Sequence, residues 1–361
     1  MRIKLKNTPA QIELIKALGS DNKLVSLEAQ EALAAFIRPV AREVLEKAGL
    51  ANQIYSRQTY NEDDSPSVPL DLYYNEGVDF VQTWAQNMAG GLPTNQVHGV
   101  DEMLVQTWRI DNAVSLLKKY ARKARIDVVS KTITKLIQEV LVKQEKSQWG
   151  IVLKALAEGS TNAVTHVISS TTANVFQLDD LNRLFTLARR QNTSFDNGTP
   201  AGFQSRGITD LFISPEVMED VRSFAYEPMN TRGIPNTDES TAVPLPDAVR
   251  KEIYDNAGAG SIYGVMLHEV LELGDNRVYN NLFDTYYTGT FTGATDQIVI
   301  GVDKGREALI TLTAQNAESG DTFKALPDDQ FLTRSEKIGW YGSIEQGNVC
   351  VDSRVLTGLI L

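Results

Sequence analysis

The sequence predicts an α+β chain, and three observations carry that expectation. Residues 127–158 hold a single long helical apolar pattern without proline. Short strand-like runs, broken by glycine and proline, come before it. A mixed stretch of short helices and strands follows and closes on strands.

The long helix is the element around which the others are placed. Asp127 is suited to accept from the first free amides, and Gly159 to close the helix in a left-handed conformation. Val129, Ile133, Leu136 and Val140 recur at helical spacing, as do Ile137, Leu141, Val152 and Leu156. At 1.5 Å per residue the helix would run about 45 Å. The polar run Lys143 to Gln148 interrupts the stripe, so its middle is expected to face water, a partner chain or a thin layer. A long, half-covered helix followed by short strands suits a flat protein that buries its other faces against copies of itself.

With 361 residues the chain has room for two or three domains and a real core. A hydrophobic content of 42% and a charged content of 22% are ordinary for a folded soluble protein. The net charge of −11 argues against a general phosphate-backbone binder. Cys350 is the only cysteine, which excludes an intrachain disulfide and gives secretion no support. The opening MRIKLKNTPAQIELIK lacks a signal-peptide core, and no run approaches the ~20 apolar residues of a membrane span. Synthesis in a cytoplasm is expected.

In chain order, residues 1–25 are polar and read as an extended or mobile arm. Ser26 is expected to cap a helix that Pro39 kinks or restarts, ending at Ala48 before Gly49. Residues 1–57 thus read as an arm with one bent helix and no core of its own. Val68–Tyr74 and Met103–Ile110 read as strands flanking an excursion too long for a simple hairpin turn. Later strands are expected at Ala163–Ser169, Asp210–Ser214, Gly264–Leu271, Gln297–Val302 and Ala308–Thr313. Helices are expected at Leu178–Arg190 and Pro215–Phe224, the second with proline in its first turn. Asn192–Ser205 and Tyr226–Pro246 read as loops. The chain should close on two strands, Lys337–Tyr341 and Asn348–Val355, joined by a turn around Ser343–Gly347.

Charge is distributed unevenly. Between Gln58 and Leu117 stand Glu62, Asp63, Asp64, Asp71, Glu76, Asp79, Asp101, Glu102 and Asp111, against Arg109 alone. Lys118, Lys119, Arg122, Lys123 and Arg125 follow at once. An acidic arm with a basic root invites head-to-tail pairing between copies. The plain alternative is a solvated charge run with no partner.

No constellation for catalysis, cofactor or metal emerges. HEVLE at His268 lacks the second histidine of a zinc-protease helix and sits in a strand-like run. Gly258, Gly260 and Gly264 are spaced one residue too widely for a dinucleotide loop and precede a strand. Ser115 and Lys118 match Ser-x-x-Lys without its companion motifs. The pairs Asp63–Asp64, Asp179–Asp180 and Asp328–Asp329 read as loops and caps, and Cys350 as a small buried residue without a flanking base.

The order of arm, acidic loop, long helix, mixed domain and closing strands resembles the major capsid proteins of tailed bacteriophages. Their Hong Kong phage capsid fold is shared with encapsulin shells. NEDDSPSVPLDLYY (61–74) and SLLKKYARKARIDVVSK (115–131) look like the legs of the extended loop and its junction with the spine helix. TDLFISPEVMEDVRSF (209–224) looks like a strand–helix element of the axial domain. FLTRSEKIGWYGSIEQGNVCVDSRVL (331–356) is similar to the closing strands of these shells.

The resemblance implies an N-terminal arm at 1–57 and an extended β-hairpin loop at 58–117. It implies a peripheral domain at 118–175 and 323–361 with spine helix 127–158, and an axial domain at 176–322. It further implies hexamers and pentamers tiling an icosahedral shell around double-stranded DNA, bound without sequence specificity. The virion would be the destination and the host cytoplasm the place of assembly, with no membrane partner. A separate scaffolding protein, a portal and a decoration protein are the implied partners. Contacts between copies are assigned to Glu62, Asp63, Asp64, Trp84, Trp108, Lys118, Lys119, Arg122, Lys123 and Arg125, and Trp84, Met88, Leu92 and Trp108 are expected to be covered only when copies meet. The founding phage cross-links its shell through a loop lysine, whereas this chain has no lysine between Lys47 and Lys118. Non-covalent stabilisation is therefore expected. An encapsulin-like compartment is the alternative, and an oligomeric enzyme a more distant one.

Overall fold

A computed structural model describes residues 8–69, 102–161, 164–191, 207–224, 251, 260–317, 320–328 and 336–361. The chain divides into two compact units. The first holds 1–68, 104–148 and 310–349; the second holds 69–103, 149–309 and 350–361. Residues 149–175 and 350–361, assigned to the peripheral domain from sequence, cluster with the second unit.

The first unit begins with α1 (Pro9–Leu18) and α2 (Lys23–Lys47). Neither belongs to a coreless arm. Ile15 and Leu18 of α1 and Leu33, Ala34, Ile37, Ala41 and Leu45 of α2 enter the main apolar cluster. Asn22 caps α2 by accepting from the Leu24 amide at 3.2 Å, and Ser26, expected as the cap, lies inside and donates to the Leu18 carbonyl. Pro39 does not break the helix. It sits on the exposed face, and burial of Ile37 and Ala41 on either side outweighs the lost backbone bond.

β1 (Ser56–Asn61) follows, then β2 (Ser67–Pro69) and β3 (Glu102–Leu104), which pair as a short ribbon. Residues 70–74 of the first expected loop strand lie outside the described residues. The second is broken, because β3 stops at Leu104 and β4 runs Trp108–Leu117. After α3 (Lys118–Arg122) the long helix appears as α4 (Ile126–Glu158), within one residue of expectation. Val129, Ile133, Leu136, Ile137 and Val140 pack into the same cluster as α2.

The polar run of α4 is not uniformly exposed. Gln144 and Gln148 are fully buried. Gln148 Nε2 donates to Asn52 Oδ1 at 3.0 Å and to Thr311 Oγ1 at 3.2 Å, and Tyr55 donates to the Gln148 carbonyl at 2.9 Å. Ser147 Oγ accepts from Gln346 and Asn348, each at 3.4 Å. Around Ser147 and Gln148 the interruption is thus a hydrogen-bonded seam inside the unit, whereas the side-chain amide of Gln144 is buried without a hydrogen-bond partner among the described residues.

In the second unit come β5 (Ser160–Thr161), β6 (Val164–Thr165), β7 (Val167–Ser169), α5 (Leu178–Arg190), β8 (Asp210–Ile213) and α6 (Pro215–Ser223). They are followed by β9 (Ser261–Ile262), β10 (Val265–Glu269), α7 (Val278–Tyr286) and β11 (Ile298–Val302). The chain then forms β12 (Leu309–Gln315), β13 (Lys324–Asp328), β14 (Lys337–Cys350) and β15 (Leu356–Ile360).

The first unit's sheet runs β1-β12-β14-β13, with β4 antiparallel on β14 from Lys337↔Leu117 to Gln346↔Trp108. The turn expected at Ser343–Gly347 does not exist, since β14 runs straight through it. Its glycines serve close packing. A Cβ on Gly342 would meet Phe323 Cζ at 2.7 Å, and one on Gly347 would meet Val105 at 2.9 Å. The first expected closing strand and the start of the second, Asn348–Cys350, are thus one strand, and Ser353–Val355 form a 3-10 turn. A further strand, β15, lies between β7 and β11 in the other sheet.

That sheet is six-stranded, in the order β7-β15-β11-β8-β10-β9. Leu181 and Leu184 of α5 and Val217, Met218 and Val221 of α6 form its apolar cover with Leu211, Ile213 and Val299. Asp180 completes the capping box of α5, and Ser214 caps α6 through the Val217 amide at 3.2 Å. Trp149 of α4, with no exposure, meets Phe212 edge-on at 5.2 Å and stacks on Tyr279 at 5.6 Å.

Among the buried charged groups of this unit is a cluster around Asp210. Asp210 Oδ1 accepts from His268 Nε2 at 2.7 Å and from Lys304 Nζ at 2.8 Å, while Thr209 donates to Oδ2 at 2.8 Å. Burial alone would raise the Asp210 carboxyl; the bonds from His268, Lys304 and Thr209 outweigh it and hold it at about 2. A depressed folded value makes the ionised carboxylate stabilising above its unfolded value of 3.8, with the contribution lost as pH falls towards about 2. Asp210→Asn should therefore cost about 2 kcal/mol at pH 7 and flatten the acid limb of stability between pH ~4 and ~2. Urea unfolding across that range checks both, and an unchanged acid limb would refute the assignment.

Candidate assembly surfaces

The acidic and basic stretches separate into residues used inside the chain and residues left at its surface. Asp63 and Asp64 follow β1 and are exposed. Glu62 is not equally available, because it forms an ion pair with Lys324, whose ammonium lowers its carboxyl. Arg109 is held by Asp111 at 2.8 Å and donates to the Tyr341 hydroxyl at 2.7 Å, with its guanidinium over the Tyr341 ring.

The basic root divides likewise. Lys118, expected at an interface, is 7% exposed, and its amide donates to the Glu336 carbonyl at 2.8 Å. Arg122 donates from Nε to the Gly19 carbonyl at 3.0 Å and pairs with Asp21, tying α3 to the turn after α1. Lys119, Lys123 and Arg125 are exposed and, among the described residues, carry no ion pair. Asp63 and Asp64 on one side and Lys119, Lys123 and Arg125 on the other thus belong to the exposed charges of these stretches without an ion pair among the described residues.

Trp108 is half-buried and packs against the first unit's core. Trp84, Met88 and Leu92 lie outside the described residues. The exposed apolar side chains are others. In the first unit they include Leu24 (70%), Phe36 and Leu104 (72%); in the second, Tyr263, Met266 and Leu271 (66%). No periodic signal singled these out, because isolated apolar residues on polar faces look alike whether or not a partner covers them.

The catalytic candidates do not converge. His268 lies in β10 stacked on Phe212 at 5.0 Å and spent on Asp210. Ser115 stands exposed on β4 while Lys118 is buried. The Cys350 thiol is pushed up to about 12 by burial and by Asp352, leaving it protonated at neutral pH. Gly258 falls outside the described residues. Among the described residues no group of three or more His, Cys, Asp or Glu is placed to hold a metal ion. No described helix is long and apolar enough to cross a membrane.

No protein-family model matches the chain, and no curated protein matches it. Solved structures do. A chain from the capsid of the cyanophage P-SCSP1u superposes with a TM-score of 0.52 at 14% identity, over 87% of this chain and 88% of that one. A chain of Microbacterium phage Oxtober96 gives 0.52 at 13% identity, over 87% and 91%. The encapsulin SrpI of Synechococcus elongatus gives 0.40 at 10% identity, over 72% and 74%. The likeness spans both units at low sequence identity, and it establishes that this chain has the α+β phage capsid fold that the order of its segments resembles.

Proposed function

We propose that this protein is a non-enzymatic shell subunit, the major capsid protein of a tailed phage. Its copies assemble as hexamers and pentamers of an icosahedral shell around double-stranded DNA. The observation that carries the reading is the fold likeness to the cyanophage capsid chain over most of both chains. One further feature supports it. Large apolar side chains stand exposed in both units, as expected of a subunit completed by its neighbours.

In this reading residues 1–57, 58–117, 118–175 with 323–361, and 176–322 act as arm, extended loop, peripheral domain and axial domain. A separate scaffolding protein, a portal and a decoration protein are the further partners, the virion is the destination and the host cytoplasm the place of assembly. Asp63 and Asp64 of one copy meet Lys119, Lys123 and Arg125 of the next. An encapsulin-like compartment would make small empty shells, and an oligomeric enzyme compact rings or clusters.

Negative-stain microscopy of the overexpressed protein is expected to show shells or tubes of genome-enclosing size; compact oligomers alone would overturn the reading. With no lysine between Lys47 and Lys118, particles boiled in detergent should run only as monomer, and a covalent ladder would contradict non-covalent stabilisation. Exposed ion pairs contribute only about 0.5 kcal/mol each. Lys119→Glu with Lys123→Glu should therefore raise the critical subunit concentration by about fivefold. Adding Asp63→Lys and Asp64→Lys should restore much of it. No rescue would dissociate the two patches.

A further inference from the structure

The loop and root leave unexplained a second set of cations, on the outer face of α4. Lys131, Lys135, Lys143 and Lys146 are all exposed, and none has an ion pair among the described residues. Elsewhere in the same unit Arg42, Lys47, Arg122 and Lys324 each hold a carboxylate. The concentration is local. Residues 118–148 hold nine Lys and Arg against three acids in a chain of net charge −11. We propose that the face of α4 from Lys131 to Lys146 is a contact surface for the phosphate backbone of duplex nucleic acid.

The geometry selects this polyanion. At 100° and 1.5 Å per residue, Lys131, Lys135 and Lys146 fall within an arc of about 60°, along a line of roughly 22 Å. Lys143 flanks it. Such a line suits a rod carrying one charge per ~1.7 Å. It does not suit a small phosphate ion, which needs donors converging on one point. An acidic segment of another copy is a poor match, because the longest acidic run in the chain is the three residues Glu62–Asp64. No aromatic side chain lies between Lys131 and Lys146 to stack on bases, so the contact reads charge and not sequence. Asp127 and Glu139, exposed on the same helix, moderate the attraction. An acidic remainder would confine nucleic acid to this line.

The nature of the polyanion rests on the shell reading, but the surface can be tested without shells. Full-length protein is titrated into a fluorescein-labelled random duplex of about 30 base pairs, and anisotropy is read at about 50 and 200 mM salt. Four phosphate contacts predict affinity about 100-fold weaker at the higher salt. Replacing Lys131, Lys135, Lys143 and Lys146 by Gln should abolish most of that salt dependence and weaken low-salt binding at least tenfold. Lys16→Gln with Lys23→Gln, exposed unpaired cations on α1 and α2, should change neither. Equal binding by the fourfold variant and the wild type overturns the proposal. So does polyglutamate competing as well as DNA at equal charge, and so does loss of assembly in that variant with DNA affinity intact, which would place the face between copies. Duplex binding at α4 without shells would sink the shell reading and spare this surface; shells that ignore DNA would do the reverse.

Discussion

The structure depends on α4 remaining one unbroken helix while serving two cores. Its first part buries Val129, Ile133, Leu136, Ile137 and Val140; its last part buries Trp149, Val152, Leu153 and Leu156. On a 100° wheel these sets differ in phase, so no single apolar stripe could serve both. The run Lys143–Gln148 carries the helix through the change. Gln144, Ser147 and Gln148 turn inward and Lys143 and Lys146 outward, which keeps backbone bonding intact where apolar burial changes side. A run of Leu would place grease on the outer face. Polar residues with long or bonding side chains satisfy both demands.

That reading explains which parts of the fold were legible. α5 and α6 emerged with nearly correct ends because their signals are local: the Gln177–Asp180 box and the Ser214–Pro215 start specify the backbone within four residues. β8, β10 and β11 are short apolar runs between breakers and were equally plain. The failures occurred where tertiary packing overrode a local cue. Pro39 reads as a break, yet its helix is clamped by Ile37 and Ala41. Gly342 and Gly347 read as a turn, yet they are the residues that let Phe323 and Val105 approach a straight strand. α1 was lost among polar residues because only Ile15 and Leu18 are fully buried, and α7 because Asn280, a buried polar residue, breaks its apolar pattern.

Charge was legible as composition but not as availability. A run such as Lys118–Arg125 looks uniform, yet Lys118 is buried and Arg122 spans to Gly19 and Asp21, both about a hundred positions earlier. Those partners lie in a stretch that looked like a free arm, so nothing in the run itself could reveal them. The same holds for Glu62 and Lys324. A surface charge becomes informative only after the pairs internal to the chain have been removed.

Among the cations left over after that subtraction, Lys131, Lys135 and Lys146 of α4 share one face. In a chain with excess acid, an exposed lysine has abundant carboxylates with which to pair, and Arg42 and Lys47 find theirs one helical turn away. Lys131 has Asp127 one turn before it and Lys143 has Glu139, yet neither forms the pair. A side chain that forgoes a local partner costs the fold little, since such pairs stabilise by only a few tenths of a kcal/mol. It remains extended and available to a larger counter-charge. A surface of that kind is inexpensive for one subunit, and in a closed shell it is multiplied by the number of copies. Contacts far too weak to matter singly then act together on one continuous polyanion.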